Sequence, residues 1–164
     1  MARARRQRDG RASATVEFAL IMPVLFAILF GVIDYGLLFD NSLNARQGIR
    51  EAAREAVVQT APTGACATQT GFLAQAACTA RADIGPLAGT AYVKAFYSSW
   101  TTGQTLTVCT LVQTKGLTGM VPFPAGGFTR ARTDMAIEVA SPVPAGATSY
   151  ADALPAGQDW SWCS

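Results

Sequence analysis

Residues 18–39 read FALIMPVLFAILFGVIDYGLLF, and this stretch decides the fold. Fourteen of its side chains are Leu, Ile, Val or Phe, and as a helix it would be about 33 Å long. A bilayer's hydrocarbon core is about 30 Å thick. The apolar side chains favour insertion by about 4–8 kcal/mol, whereas Asp34 opposes it by at most about 3 kcal/mol. The sequence therefore predicts a transmembrane helix at about 18–39.

The charges before this stretch predict its orientation. Residues 1–12 carry five arginines against a single aspartate. By the positive-inside rule this basic leader stays in the cytoplasm, so the rest of the chain lies outside the cell (inner) membrane as a single-pass protein. The arginines do not indicate nucleic-acid binding, because they lack interleaved aromatics and a folded platform. A cleaved signal peptide is the alternative, although its apolar region would be only about 7–15 residues long.

The composition argues against an enzyme. The chain has no histidine, which removes the commonest general base and the commonest metal ligand. It also lacks GxSxG, HExxH, P-loop and dinucleotide-binding motifs. We therefore predict a non-enzymatic protein with no catalytic residues, no metal site and no cofactor.

A polar helical pattern follows the apolar stretch without a break, which predicts one continuous helix over 13–59. Arg46, Arg50 and Arg54 recur every four residues and share one face. Such a stripe is either a solvated face or a contact for an acidic partner. Pro62 and Gly64 then end the helix.

Two features of the apolar helix suggest packing against other helices. Small residues recur every four positions and form what we call the small-residue face: Ala19, Pro23, Ala27 and Gly31. Asp34 follows three residues after Gly31. This face admits close approach of a neighbouring helix, or it is ordinary membrane-helix composition. Glu17 stands at the cytoplasmic edge, where it either complements the helix dipole or pairs with a positive group on another subunit.

Residues 60–164 predict a small extracytoplasmic α+β head. A second helix is expected at Thr70–Asp83, ended by Gly85 and Pro86. Three strands are expected, at Tyr92–Trp100, Thr105–Gln113 and Thr129–Val139. Together they predict a small antiparallel sheet against the distal half of the long helix. In the Pro- and Gly-rich tail, Trp160 and Trp162 either pack on this sheet or form an adhesive patch.

All four cysteines lie in the predicted head, on the oxidising side, so disulfides are more plausible than metal ligation. Four cysteines allow three pairings. We favour Cys66–Cys78, which would fasten the entry to the second helix. Cys109–Cys163 would then tie the tail to a central strand.

The N-terminal region resembles the TadE-like minor pilins of the tight-adherence (Tad/Flp, type IVc) pilus. The resemblance is carried by GRASATVEFALIMPVLFAILFGVIDYG at residues 10–36 and by the helix SLNARQGIREAAREAVV at 42–58. It includes the Val-Glu-Phe step, the proline in the apolar run and the Asp-Tyr-Gly step. It covers about a quarter of the chain and implies a pilin-like fold.

The resemblance also implies a function. A prepilin peptidase would cut between Ala12 and Ser13, which makes Glu17 the fifth residue of the mature chain; the family usually has glycine where Ala12 stands. The protein would then serve as a minor pilin or assembly component, in contact with other pilins, pilus-assembly membrane proteins and lipid. Glu17, Ala27, Gly31 and Asp34 are the assembly residues that we predict. The alternative is a membrane-anchored binding or adhesion module unrelated to a pilus.

Overall fold

The computed structural model describes residues 2–87, 89–119 and 122–164, with side chains from Ala14 onward. The chain forms a long helix α1, a shorter helix α2 and a four-stranded antiparallel sheet, which confirms the expected α+β fold. The elements are α1 (Ala2–Val57), α2 (Phe72–Ile84), β1 (Gly89–Tyr97), β2 (Thr105–Thr114), β3 (Phe128–Ala136) and β4 (Ser149–Ala151). Short 3-10 turns lie at Gly64–Thr68, Pro124–Gly127 and Ser161–Cys163.

The sheet has the strand order β3-β2-β1-β4, so the first two predicted strands, β1 and β2, pair at its centre. Lys94 stands opposite Cys109, and Cys109 stands opposite Arg132. Because side chains alternate along a strand, the neighbouring positions Val93 and Val108 point to the other face, where both are fully buried. The sheet thus has an inner face towards the helices and an outer face towards the tail.

Strand β4 was not predicted from the sequence. It is three residues long and pairs with β1, with Tyr150 opposite Ala95. The surrounding tail is rich in Pro, Ala and Gly, which gives no strand signal. Its pairing is therefore a product of the folded head rather than of local propensity.

The core lies between the distal part of α1, helix α2 and the inner face of the sheet. Helix α1 contributes mainly alanines with Ile49 and Val57, so the helices can approach closely. They come very close at Gly48, where an added Cβ would lie 2.4 Å from the backbone nitrogen of Ile84. A glycine at this position is therefore required by the crossing of α1 and α2 rather than by backbone conformation.

The tail crosses the outer face of the sheet and is fastened there. The structure contains the disulfides Cys66–Cys78 and Cys109–Cys163, the same pairing that the sequence favoured. The indole rings of Trp160 and Trp162 lie 5.6 Å apart, both half-buried, and the Arg130 guanidinium lies over the Trp162 ring. The two tryptophans therefore pack on the sheet, which was the first of the two alternatives that the sequence left open.

Asp152, directly after β4, ties the tail to the rest of the head. Its Oδ2 accepts hydrogen bonds from Arg81 Nη1 at 2.6 Å and from the Val93 backbone N–H at 2.8 Å. Its Oδ1 accepts one from the Tyr150 hydroxyl, and its backbone carbonyl accepts one from the Trp160 indole. One carboxylate thus joins α2, β1 and the tail.

Candidate membrane and assembly helix

Helix α1 divides into two stretches with different surroundings. From Ala14 to Ile33, which we call the open half, no described residue is buried. From Asp34 to Val57, which we call the covered half, one side of the helix packs against the head. Within the described residues, Ala14–Val57 is the one helical stretch long and apolar enough to cross a membrane, and its most apolar window is entirely unburied.

The small-residue face of the open half points to the same side as the head. A helix repeats its direction every 18 residues, so Ala27 projects in the direction of Ala45, which is buried against the head. Gly31 likewise lines up with Ile49. An added Cβ at Gly31 would meet nothing within 4 Å. A second helix packing on this face would therefore lie beneath the head.

Asp34 forms the junction between the two halves. Its side chain is fully buried. Oδ1 accepts a hydrogen bond from the backbone N–H of Leu117 at 2.9 Å, and Oδ2 accepts one from the Thr118 hydroxyl at 2.6 Å. The carboxylate thus binds the loop that follows β2, a set of partners different from the helix bundle expected for it.

Two further contacts hold the same loop region to α1. The ring of Phe123 packs edge-to-face on Tyr35, with ring centroids 6.0 Å apart. About two helical turns beyond Asp34, Asn41 donates a hydrogen bond through Nδ2 to Thr114 Oγ1 at 3.0 Å, and both side chains are buried. The head is therefore fastened to the helix at the level where the open half ends.

The outer side of the covered half is polar and charged. The arginine stripe is exposed, and Arg54 Nε donates to Glu51 Oε2 at 3.0 Å. This hydrogen bond lowers the pKa of the Glu51 carboxyl. On α2, desolvation and then the negative charges of Glu55 and Glu51 raise the pKa of Asp83. Within the described residues the stripe is thus exposed, with one local ion pair at Arg54; a contact with an acidic partner stays an alternative prediction.

A groove of about 560 Å³ opens at the far end of the head, between the C-terminal end of α1, the start of α2 and the segment 142–145. Its lining is mostly apolar, with Phe72 and Val143 as the larger side chains and Glu55 among the polar ones. Gln59 and Gln75 also line it, but both use their amides on backbone carbonyls of the head. No group of three or more His, Cys, Asp or Glu able to hold a metal ion occurs in the described part of the chain.

Of the predicted site residues, the structure brings together the four cysteines, as two disulfides, but not the four assembly residues. Glu17 and Ala27 are exposed on the open half, and Gly31 is half-exposed there, whereas Asp34 is turned into the head. The predicted cleavage site, Ala12 and Ser13, lies outside the residues whose side chains the structure describes. Sequence reasoning missed the loop that binds Asp34; the Lys-Gly-Leu-Thr-Gly run at 115–119 marks a turn but gives no sign of its partner.

Comparison with known proteins bears on this helix. Residues 12–56 match the family model described as TadE-like protein, which confirms the resemblance. The match indicates a component related to the Tad pilus, with structural rather than enzymatic character and an association with pilus components. The long apolar helix fits a single-pass membrane anchor in such a protein. No curated protein and no solved structure matches the chain.

Proposed function

We propose that this protein is a structural minor pilin or a pilus-assembly component of a tight-adherence pilus. The observation that carries the proposal is that the TadE-like match, residues 12–56, falls on α1 and includes the open half. A helix that is apolar all round can be stored in a bilayer and later packed among the helices of a fibre. Its partners would be other pilins or pilus-assembly membrane proteins.

The proposed topology places the basic leader in the cytoplasm and the head on the extracytoplasmic side. Two disulfides in the head support this orientation, because they form and persist in oxidising compartments. A prepilin peptidase would act between Ala12 and Ser13 on the cytoplasmic side. The head would then be displayed at the membrane or on the fibre surface.

Glu17 supplies the chemistry of assembly in this proposal. A carboxylate at the lipid boundary is costly by itself and becomes tolerable when it is paired. A positive group on a neighbouring subunit, such as the free amine that processing creates, would supply that pairing. The small-residue face would meanwhile admit the neighbouring helix beneath the head.

Replacement of Glu17 tests this role. We expect Glu17→Ala to insert into the membrane normally and to lose co-purification with pilus components. Asp40→Ala is the matched control, because Asp40 is an exposed carboxylate on the covered half of the same helix. It should keep co-purification. Unchanged co-purification of Glu17→Ala would count against the assembly role.

N-terminal sequencing of the membrane-purified protein tests the processing step separately. A chain that starts at Ser13 is the expected result. A chain that starts at Met1 or Ala2 would refute cleavage, while the assembly role would still stand or fall with Glu17.

A further inference from the structure

We propose that the loop Lys115–Gly119 lies on the outer leaflet of the bilayer, with the Leu117 side chain in the lipid, and so gives the head a membrane contact of its own. This contact goes beyond the pilus role and depends only on the membrane anchoring of α1. The partner is a phospholipid surface: hydrocarbon for Leu117 and lipid phosphate for Lys115.

The length of the open half places this loop at the membrane surface. The sequence placed the span at about 18–39, but the head buries Asp34 and Leu38, so the span available to lipid ends at Ile33. Residues 14–33 form a helix about 30 Å long, close to the thickness of a hydrocarbon core. The arginines of the leader adjoin its cytoplasmic end. Asp34 then marks the outer boundary, because the covered half is flanked by a folded head that a bilayer would not admit.

The hydrogen bonds of Asp34 hold the loop at this level. The Leu117 N–H and the Thr118 hydroxyl bind the two oxygens of its carboxylate, so the loop cannot lie further along the helix. The backbone of Leu117 is thus fixed beside the last turn of the open half. The loop thus begins at the level along the helix where the apolar open half ends.

The exposure and charge of the loop fit lipid. Leu117 is 74% exposed, more than any other large apolar side chain that the structure describes. Lys115 is exposed beside it, and the sequence has no Asp or Glu from Lys115 to Thr133. A long lysine side chain can reach phosphates while its methylenes lie on apolar surface. The loop therefore offers anionic headgroups a positive side chain and no carboxylate of its own, while the nearby Asp34 carboxylate is buried and already hydrogen-bonded.

Depth-dependent fluorescence quenching tests the contact on the full chain. Leu117→Trp and wild type are reconstituted into vesicles whose phospholipids carry bromine on the acyl chains, which quench indole at short range. Val143→Trp is the control, because Val143 is 67% exposed and lines the groove near the end of α1. That end is about 35 Å along the helix from Asp34. The wild-type spectrum is subtracted to remove the three native tryptophans.

We expect about twofold quenching of the tryptophan at position 117 and none at position 143, because an interfacial side chain is buried about 5–10 Å deep. Equal quenching at the two positions would overturn the proposal. The tryptophan at position 117 could instead be shielded from water without being quenched by the brominated lipid. If that shielding disappears at one copy per vesicle, the surface contacts a second copy of the chain, and the proposal is overturned as well. Flotation of each variant with the vesicles, which contain no pilus proteins, separates a failure of the loop contact from a failure of the anchor or of the pilus role.

Discussion

The open and covered halves of α1 belong to one uninterrupted helix, yet their sequences suit different surroundings. The open half is apolar around its whole circumference from Phe18 to Ile33, and none of its described side chains is buried. The covered half buries one stripe, including Leu38, Ala45 and Ile49, and exposes arginines on the opposite side. A helix that is apolar all round requires lipid or other helices, whereas an amphipathic helix requires one folded partner. The change at Asp34 therefore separates the surface that we propose for assembly from the surface that packs against the head.

Removal of a disulfide should have the largest effect, and it should act on the head alone. Cys109 and Cys163 are 54 residues apart, so the chain-entropy model gives the bridge about 4 kcal/mol. The Cys109→Ser, Cys163→Ser variant should lose that free energy of unfolding in urea titrations followed by tryptophan fluorescence. The Cys66→Ser, Cys78→Ser variant, with a separation of 12, should lose about 3 kcal/mol. Both variants should still float with vesicles; loss of flotation would show that the open half depends on the head.

Glycine-to-alanine substitutions at one position in each half of α1 should affect different properties of the protein. Gly48→Ala places a Cβ against the Ile84 backbone. We expect a net loss of about 2–3 kcal/mol in urea unfolding, despite the better helix propensity of alanine. Gly31→Ala meets open space and should change head stability by less than about 0.5 kcal/mol. Gly31→Ala should instead reduce co-purification with pilus components. Equal unfolding curves for Gly48→Ala and Gly31→Ala would contradict the distinction between the open and covered halves.

The junction itself should show an intermediate effect. Asp34→Ala removes the acceptor for the Leu117 N–H and the Thr118 hydroxyl. Hydrogen bonds to a charged group contribute about 1.5–3 kcal/mol, so we expect a loss of about 2 kcal/mol. Asp34→Asn keeps one acceptor oxygen and should lose less. Hydrogen exchange at the Leu117 amide measures the contact directly, and unchanged protection in Asp34→Ala would rule out this junction.

The smallest effect is expected at Asp83, whose pKa is raised by desolvation and by Glu55 and Glu51. Between the ordinary aspartate pKa of about 4 and this raised value the folded state binds more protons than the unfolded state. Stability therefore falls as pH rises through that window. Asp83→Asn should be more stable than wild type at pH 7 by at most about 0.5 kcal/mol, because solvent screens this exposed group. The gain should vanish below about pH 4 in thermal melts; a gain that persists there would argue against a titration effect.

Much of the fold followed from local patterns. The apolar run predicted the long helix, and the Thr-, Val- and aromatic-rich segments predicted β1, β2 and β3. The expected second helix, Thr70–Asp83, corresponds to α2 at Phe72–Ile84. These patterns are informative because a helix and a strand each require a characteristic spacing of apolar residues and suitable turn residues at their ends. Strand β4 escaped prediction since its three residues depend on the edge of β1.

The candidate site was less accessible to prediction. Glu17, Ala27 and Gly31 stand out because an acid and small residues are unusual in an apolar run. Asp34 stood out for the same reason, but its partners could not be foreseen. Leu117 and Thr118 lie 83 and 84 residues away, in a turn whose composition fits many contacts.

The sequence by itself determined that one helix is long and apolar enough to span a bilayer, that its leader is basic, and that four cysteines lie beyond it. These properties depend on composition and spacing along the chain. Only the tertiary structure decided where the open half ends, because that boundary is set by side chains brought together across the fold. Desolvation of the Asp34 carboxylate requires partners, and the loop after β2 supplies them only once the sheet has packed on α1.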